Sequence, residues 1–130
     1  MSLNTLCFIT LAAVSCSSSP AGPSADVPLG SEFTLKPGAS ATIQSTDLRI
    51  TFLNVVSDSR CAVDVVCVQA GDAVVALRVG NADVELRSNS APQTAVGSYL
   101  LRLERVEPDA HSDRRIEPGD YRAVLKVTRS

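Results

Sequence analysis

An all-β sandwich of about seven strands, immunoglobulin-like or related to it, is the fold predicted by three features of the sequence. From Glu32 onward, apolar residues recur at every second position. Turn-forming residues interrupt that alternation about every 8 to 15 positions. After Asp26 no stretch long enough for a helix carries a 3.6-residue period.

The elements follow in order. Phe33 and Leu35 alternate with Glu32, Thr34 and Lys36, and Pro37-Gly38 then supplies the fixed φ and the positive φ of a type II turn. A second strand runs through Ala41 and Ile43. Leu48, Ile50 and Phe52 form the third, after which the apolar phase slips to Leu53 and Val55, as a β-bulge requires. Two alternating runs between Ala73 and Ser88 flank Gly80-Asn81, a two-residue hairpin loop. If Val79 faces Ala82, then Leu77 faces Val84, Val75 faces Leu86, and Arg78 meets Asp83 on the other face. A slip of one residue would scramble both faces. Tyr99, Leu101 and Leu103 mark the next strand, which ends at the polar stretch Glu107 to Arg115. Pro118-Gly119 repeats the type II turn chemistry before a last strand through Tyr121, Ala123, Leu125 and Val127.

The chain's 130 residues, 45% hydrophobic and 20% charged, suit a single globular domain. Twelve Lys and Arg against 14 Asp and Glu leave a net charge of −2, so nothing favours a polyanionic partner, and nucleic acid is excluded as a first reading. With no Trp, two Tyr and three Phe, stacking platforms for bases or sugars are scarce.

The N-terminal segment reads as an export address. No charged side chain occurs in residues 1–15, and Leu6 to Val14 form an apolar run too short to span a bilayer, followed by small residues. Leu11-Ala12-Ala13-Val14-Ser15-Cys16 resembles a bacterial lipobox, which implies lipidation of Cys16 as the new N-terminus. It departs from that pattern in having Ala13 where Leu is preferred, and no Lys or Arg precedes the run. The alternatives are cleavage by the general signal peptidase before Asp26 and a retained hydrophobic N-terminus. The organisation expected is therefore a signal peptide over 1–15, a lipidated Cys and small-residue tether over 16–25, and a β-sandwich over 26–130. The protein is then held to the membrane of the bacterial envelope, facing the periplasm or the exterior.

Of four cysteines, Cys7 lies in the leader and Cys16 is either acylated or removed with it, leaving Cys61 and Cys67 in the domain. In an oxidising compartment these two are expected to close a small disulfide loop. The rival readings are a metal site, for which the only histidine, His111, is far along the chain, and a redox dithiol, which would want Cys-x-x-Cys.

The stretch Asp58-Ser59-Arg60-Cys61-Ala62-Val63-Asp64-Val65-Val66-Cys67-Val68-Gln69-Ala70-Gly71-Asp72-Ala73 resembles the signature of a group of small exported bacterial proteins and lipoproteins without an assigned activity. That signature carries Pro where this chain has Ala62 and Trp where it has Gln69. The likeness extends loosely from Phe33 to Val127 and implies export but no chemistry. Read from the residues alone, Gly71 permits a backbone conformation closed to other residues. Arg60 and Asp64 are placed to pair across the small loop.

Catalytic chemistry has few candidates. His111 sits in the polar loop Glu107 to Asp113 with nothing apolar to frame a triad. The alternation Asp109, His111, Asp113 offers ligands for a divalent ion, although a solvated loop explains it as well, so no metal and no cofactor is expected. Asp58, Asp64 and Asp72 cluster in sequence, but carboxylates beside turns usually bond local backbone N–H groups. The function expected is a noncatalytic binding or structural role. The loop 57–71, with Asp58, Arg60, Asp64 and Gln69, forms its contact surface, toward a protein partner or in a protease-inhibitor variant. A small extracytoplasmic enzyme or metal-binding protein is the alternative, and it requires a concave site joining at least two of Asp58, Asp64 and His111.

Overall fold

The computed structural model describes residues 24–130. Among these residues the chain forms nine strands, β1 (Ser24–Val27), β2 (Glu32–Leu35), β3 (Ser40–Ile43), β4 (Arg49–Asp58), β5 (Ala73–Val79), β6 (Ala82–Arg87), β7 (Gln93–Val96), β8 (Tyr99–Glu107) and β9 (Arg122–Arg129), with a single 3₁₀ turn at Pro118–Asp120. They build two sheets, one of five strands in the order β1-β3-β4-β5-β6 and one of four in the order β2-β9-β8-β7. The all-β sandwich is therefore the observed fold. The leader 1–15, Cys16 and the tether as far as residue 23 lie outside the described residues.

The core is aliphatic with one central aromatic. Phe52, Ile43, Ile50, Leu77, Leu86, Leu101, Leu103, Leu125, Val75 and Val127 are completely buried, and they are the inward positions of β3 to β6, β8 and β9. Period-two alternation makes this possible, because successive side chains point to opposite faces and each sheet offers one apolar face to the other. Among the described residues Ser40 is the only buried polar one, and its hydroxyl pairs with that of Thr51 at 2.8 Å.

Local turn chemistry sets the register. Gly80 has a φ of 59°, the positive value a type II′ loop demands at its first position. The hairpin β5–β6 pairs Val79 with Ala82, Leu77 with Val84 and Val75 with Leu86, while Arg78 Nε reaches Asp83 Oδ1 at 3.0 Å. Gly38 has a φ of 87° and Ala39 N–H donates to Lys36 O at 3.0 Å, closing the type II turn at Pro37-Gly38. The phase slip in β4 is a pair of bulges, with register shifts between Phe52 and Asn54 and between Val55 and Ser57.

Three expectations change. Two short edge strands raise the count from about seven to nine. β1 takes Ser24 and Ala25 from the expected tether and pairs parallel to β3, so the described sheet includes two residues ahead of Asp26. β7 pairs with β8 through the two-residue loop Gly97-Ser98, where Gly97 has a φ of 58°. At Pro118-Gly119 no type II turn forms. Asp120 N–H donates to Glu117 O at 2.9 Å in a 3₁₀ turn, and Gly119 has no positive φ. Proline at the first position suits either geometry, so local sequence does not choose between them.

Phe52→Ala is expected to cost about 3–5 kcal/mol by opening a cavity between the sheets, whereas Val66→Ala, at a fully exposed position, should stay within about 0.5 kcal/mol. Urea unfolding of the two variants beside the parent chain reads both values.

Candidate functional site

One end of the sandwich gathers the unusual residues. β4 leaves the sheet at Asp58, opposite Ala73 of β5, and the segment between them carries the disulfide. Cys61 and Cys67 are bonded, with Cα atoms 5.9 Å apart. Just below the bridge the two legs of the loop come together: Ser59 N–H donates to Asp72 O at 2.8 Å, and the Ser59 hydroxyl accepts from Asp72 N–H at 3.1 Å. Gly71 is required here for space rather than for a special φ, which corrects the reading from sequence. A Cβ at position 71 would lie 1.6 Å from the Ser59 carbonyl oxygen. The Asp72 carboxylate in turn accepts from Asn89 N–H at 2.7 Å, Ser90 N–H at 2.8 Å and the Ser90 hydroxyl at 2.8 Å. The Ser90 N–H and hydroxyl, with the Asn89 N–H, hold its carboxyl below the usual carboxylate range.

Arg60 does not pair with Asp64. Its guanidinium makes a two-point contact with Asp58, Nε to Oδ1 at 2.9 Å and Nη2 to Oδ2 at 2.8 Å, and Arg60 N–H also donates to Asp58 Oδ1 at 3.2 Å. The same guanidinium donates to Val106 O at 2.8 Å and Pro108 O at 3.0 Å, at the end of β8. Tyr121, entering β9, adds its hydroxyl to Asp58 Oδ2 at 3.0 Å. Asp58 wins over Asp64 because it sits two residues away at the edge of the core, where the planar fork can meet both carboxylate oxygens at once. Burial pushes the Asp58 carboxyl up, but the Arg60 hydrogen bonds and charge and the Tyr121 hydroxyl outweigh it, leaving the group below its ordinary value. Tyr121 moves the other way, raised by burial and by the adjacent carboxylate.

A second tie holds the tip. Val63 N–H donates to Ala110 O at 2.8 Å, and Asp64 accepts from Ser112 N–H at 2.9 Å and from the Ser112 hydroxyl. The disulfide loop therefore lies against the loop that follows β8. This contact also rearranges the ligand candidates. His111 and Asp113 come together with Asp64, their ligand-type atoms within 4.8 Å of one another, and Asp109 is not part of the group. Both oxygens of Asp64 already serve Ser112, so the arrangement is first a hydrogen-bonded staple.

A concave site of about 430 Å³ opens between these two loops, lined among others by Asp58, Arg60, His111, Arg115 and Tyr121. It joins Asp58 and His111, which meets the geometric requirement of the enzyme alternative, although both Asp58 oxygens are spent on Arg60 and Tyr121. The four residues expected to form the contact surface divide. Asp58 and Arg60 turn inward as the tie between the sheets, Asp64 faces Ser112, and Gln69 is exposed.

What the outer face presents instead is valine. Val63, Val65, Val66 and Val68 are exposed, with neighbouring Val56 at the second bulge, and Val66 and Val68 are as open as in a free peptide. Sequence reasoning named Asp58, Arg60, Asp64 and Gln69 in this loop and passed over its valines. The available signal was composition: within Cys61 to Ala70 the only charged residue is Asp64, an apolar excess that a loop too short to have a core cannot bury.

Arg60→Met should cost about 2–4 kcal/mol, somewhat under the figure for a fully buried pair because each partner keeps 14% exposure. Since the folded Asp58 value is lowered, its contribution is complete above the unfolded value near 3.9 and disappears as pH falls through the folded value. Acid-unfolding curves of the parent should therefore lose stability below about pH 4, and that part of the slope should shrink in the variant. Gly71→Ala should raise amide exchange across residues 59–72 while leaving exchange in β8 and β9 as in the parent, a pattern hydrogen-exchange mass spectrometry resolves.

Compared with family models, curated proteins and solved structures, the chain finds no match, so the reading of this site rests on its own residues.

Proposed function

We propose that this is an exported, lipid-anchored protein of the bacterial envelope with a noncatalytic binding role, in which the disulfide loop 57–71 is the contact surface. The observation that carries the reading is the combination of apolar exposure with restraint. Val63, Val65, Val66 and Val68 face outward on a segment closed by Cys61–Cys67 and tied down by Arg60, Asp64 and Asp72. Contiguous exposed apolar surface marks an interaction site in soluble domains, and a loop already ordered loses little further entropy on contact. The disulfide supports an oxidising compartment, and the lipobox-like segment ending at Cys16 supports the anchor. The resemblance of Asp58 to Ala73 to exported bacterial lipoproteins points the same way.

The cleft favours a second reading, the small extracytoplasmic enzyme, because it brings Asp58 and His111 to one cavity. Saturation of Asp58 weighs against it. For the proposed role, protein extracted from membranes of expressing cells should show the mass of an acylated Cys16, and Cys61 and Cys67 should resist alkylation until reduced. A leader left uncut in the soluble fraction, with both thiols alkylated directly, would overturn it.

A further inference from the structure

The direction of β1 relates the valine surface to the anchor. β3 runs antiparallel to β4, with Ser40 opposite Thr51 and Thr42 opposite Arg49, so it runs away from Asp58. β1 is parallel to β3, with Ser24 beside Ser40 and Val27 beside Ile43. The polypeptide therefore enters β1 from the side of the sheet on which β4 ends and the disulfide loop begins. From the level of Ser24 to Asp58 is seven residues of bulged strand, roughly 20 Å at about 3.3 Å per residue, and the loop projects beyond that.

The chain available to bridge this overhang is short. Eight residue steps separate Cys16 from Ser24. Eight steps of polypeptide span less than about 29 Å at their covalent limit. An acyl chain on Cys16 thus holds the bilayer at about the height of the disulfide loop, on the loop's own side of the molecule. The disulfide loop presents valine there, with no charged side chain between Val65 and Ala70.

We propose that the valine face of the disulfide loop docks on the bilayer surface to which the chain is anchored, with Val66 and Val68 entering the interfacial layer. The inference rests on the anchoring reading above and adds the occupant of the contact surface. The contact is apolar rather than electrostatic, because the projecting residues carry no charge. It should therefore form on zwitterionic lipid and be insensitive to salt, unlike the binding of a polybasic patch.

The chain contains no Trp, so a single introduced one is a clean reporter. Full-length Val68→Trp and, as a control, Asn81→Trp in the β5–β6 loop at the far end are purified and reconstituted into phosphatidylcholine vesicles containing brominated lipid. Acylation of Cys16 is read by mass spectrometry on the same samples. The expected result is quenching of Trp at 68 several-fold above that at 81, unchanged between low and high salt and lost in Val66→Asp/Val68→Trp. Acylated protein whose position 68 is quenched no more than position 81 overturns the docking and leaves the anchor standing. Protein without an acyl group whose position 68 is still quenched supports the docking and overturns the anchor. Unacylated protein that shows no quenching overturns both. Crosslinking of the loop to a protein in intact cells, with no lipid quenching, overturns the docking in favour of a protein partner.

Discussion

The guanidinium of Arg60 is the point at which the two sheets and the disulfide loop are held together. Four of its five N–H donors are used, two toward Asp58 on the five-stranded sheet and two toward Val106 O and Pro108 O at the end of β8 in the four-stranded one. Tyr121 closes the arrangement from β9. A lysine would bring the charge but not the planar geometry that meets a carboxylate at two points while reaching two carbonyls. With Arg60 in place, the loop leaves the sandwich at a set angle and the cleft beside it has a floor. Without it, a carboxylate and two carbonyls at the edge of the core lose their partners, which is the costly way to break such a pair.

Stability and the exposed valine surface are separated in this molecule. The aliphatic core between the sheets is complete without the disulfide loop, none of whose residues is buried in it. The loop is consequently free to carry surface that folding would otherwise remove from water. Its order comes from three hydrogen-bonded ties, through Ser59 and Asp72, Arg60 and Asp58, and Asp64 and Ser112, beside the disulfide itself. The entropy of ordering the loop is lost on folding rather than on contact, which favours binding by a small patch.

Much of the fold was legible because its determinants are local. Alternation places residues on a face without reference to any partner, and Gly80-Asn81 dictates a hairpin whose register follows by counting. β1 and β7 escaped because four residues of Ser, Ala, Asp and Val or Gln, Thr, Ala and Val carry too little periodicity to stand out from a connection. Both are edge strands whose existence depends on the neighbour offering its free hydrogen-bonding side. The candidate site was legible only in outline. The disulfide followed from counting cysteines, but the carbonyl partners of Arg60 and the serine partner of Asp64 lie 46 to 48 residues away, and no spacing rule reaches that far.

The sequence by itself determined the class of fold, the central hairpin with its register, the bulge after Phe52 and the sulfur bridge, since each follows from periodicity, turn chemistry or composition within a few residues. Only the tertiary structure decided which acid Arg60 binds, that Gly71 is required for space against Ser59, and that the valines of the loop face outward at the end where the chain enters the sandwich. Those depend on how two sheets close over one core, and close approach between distant segments is a property of the packed chain rather than of any stretch of it.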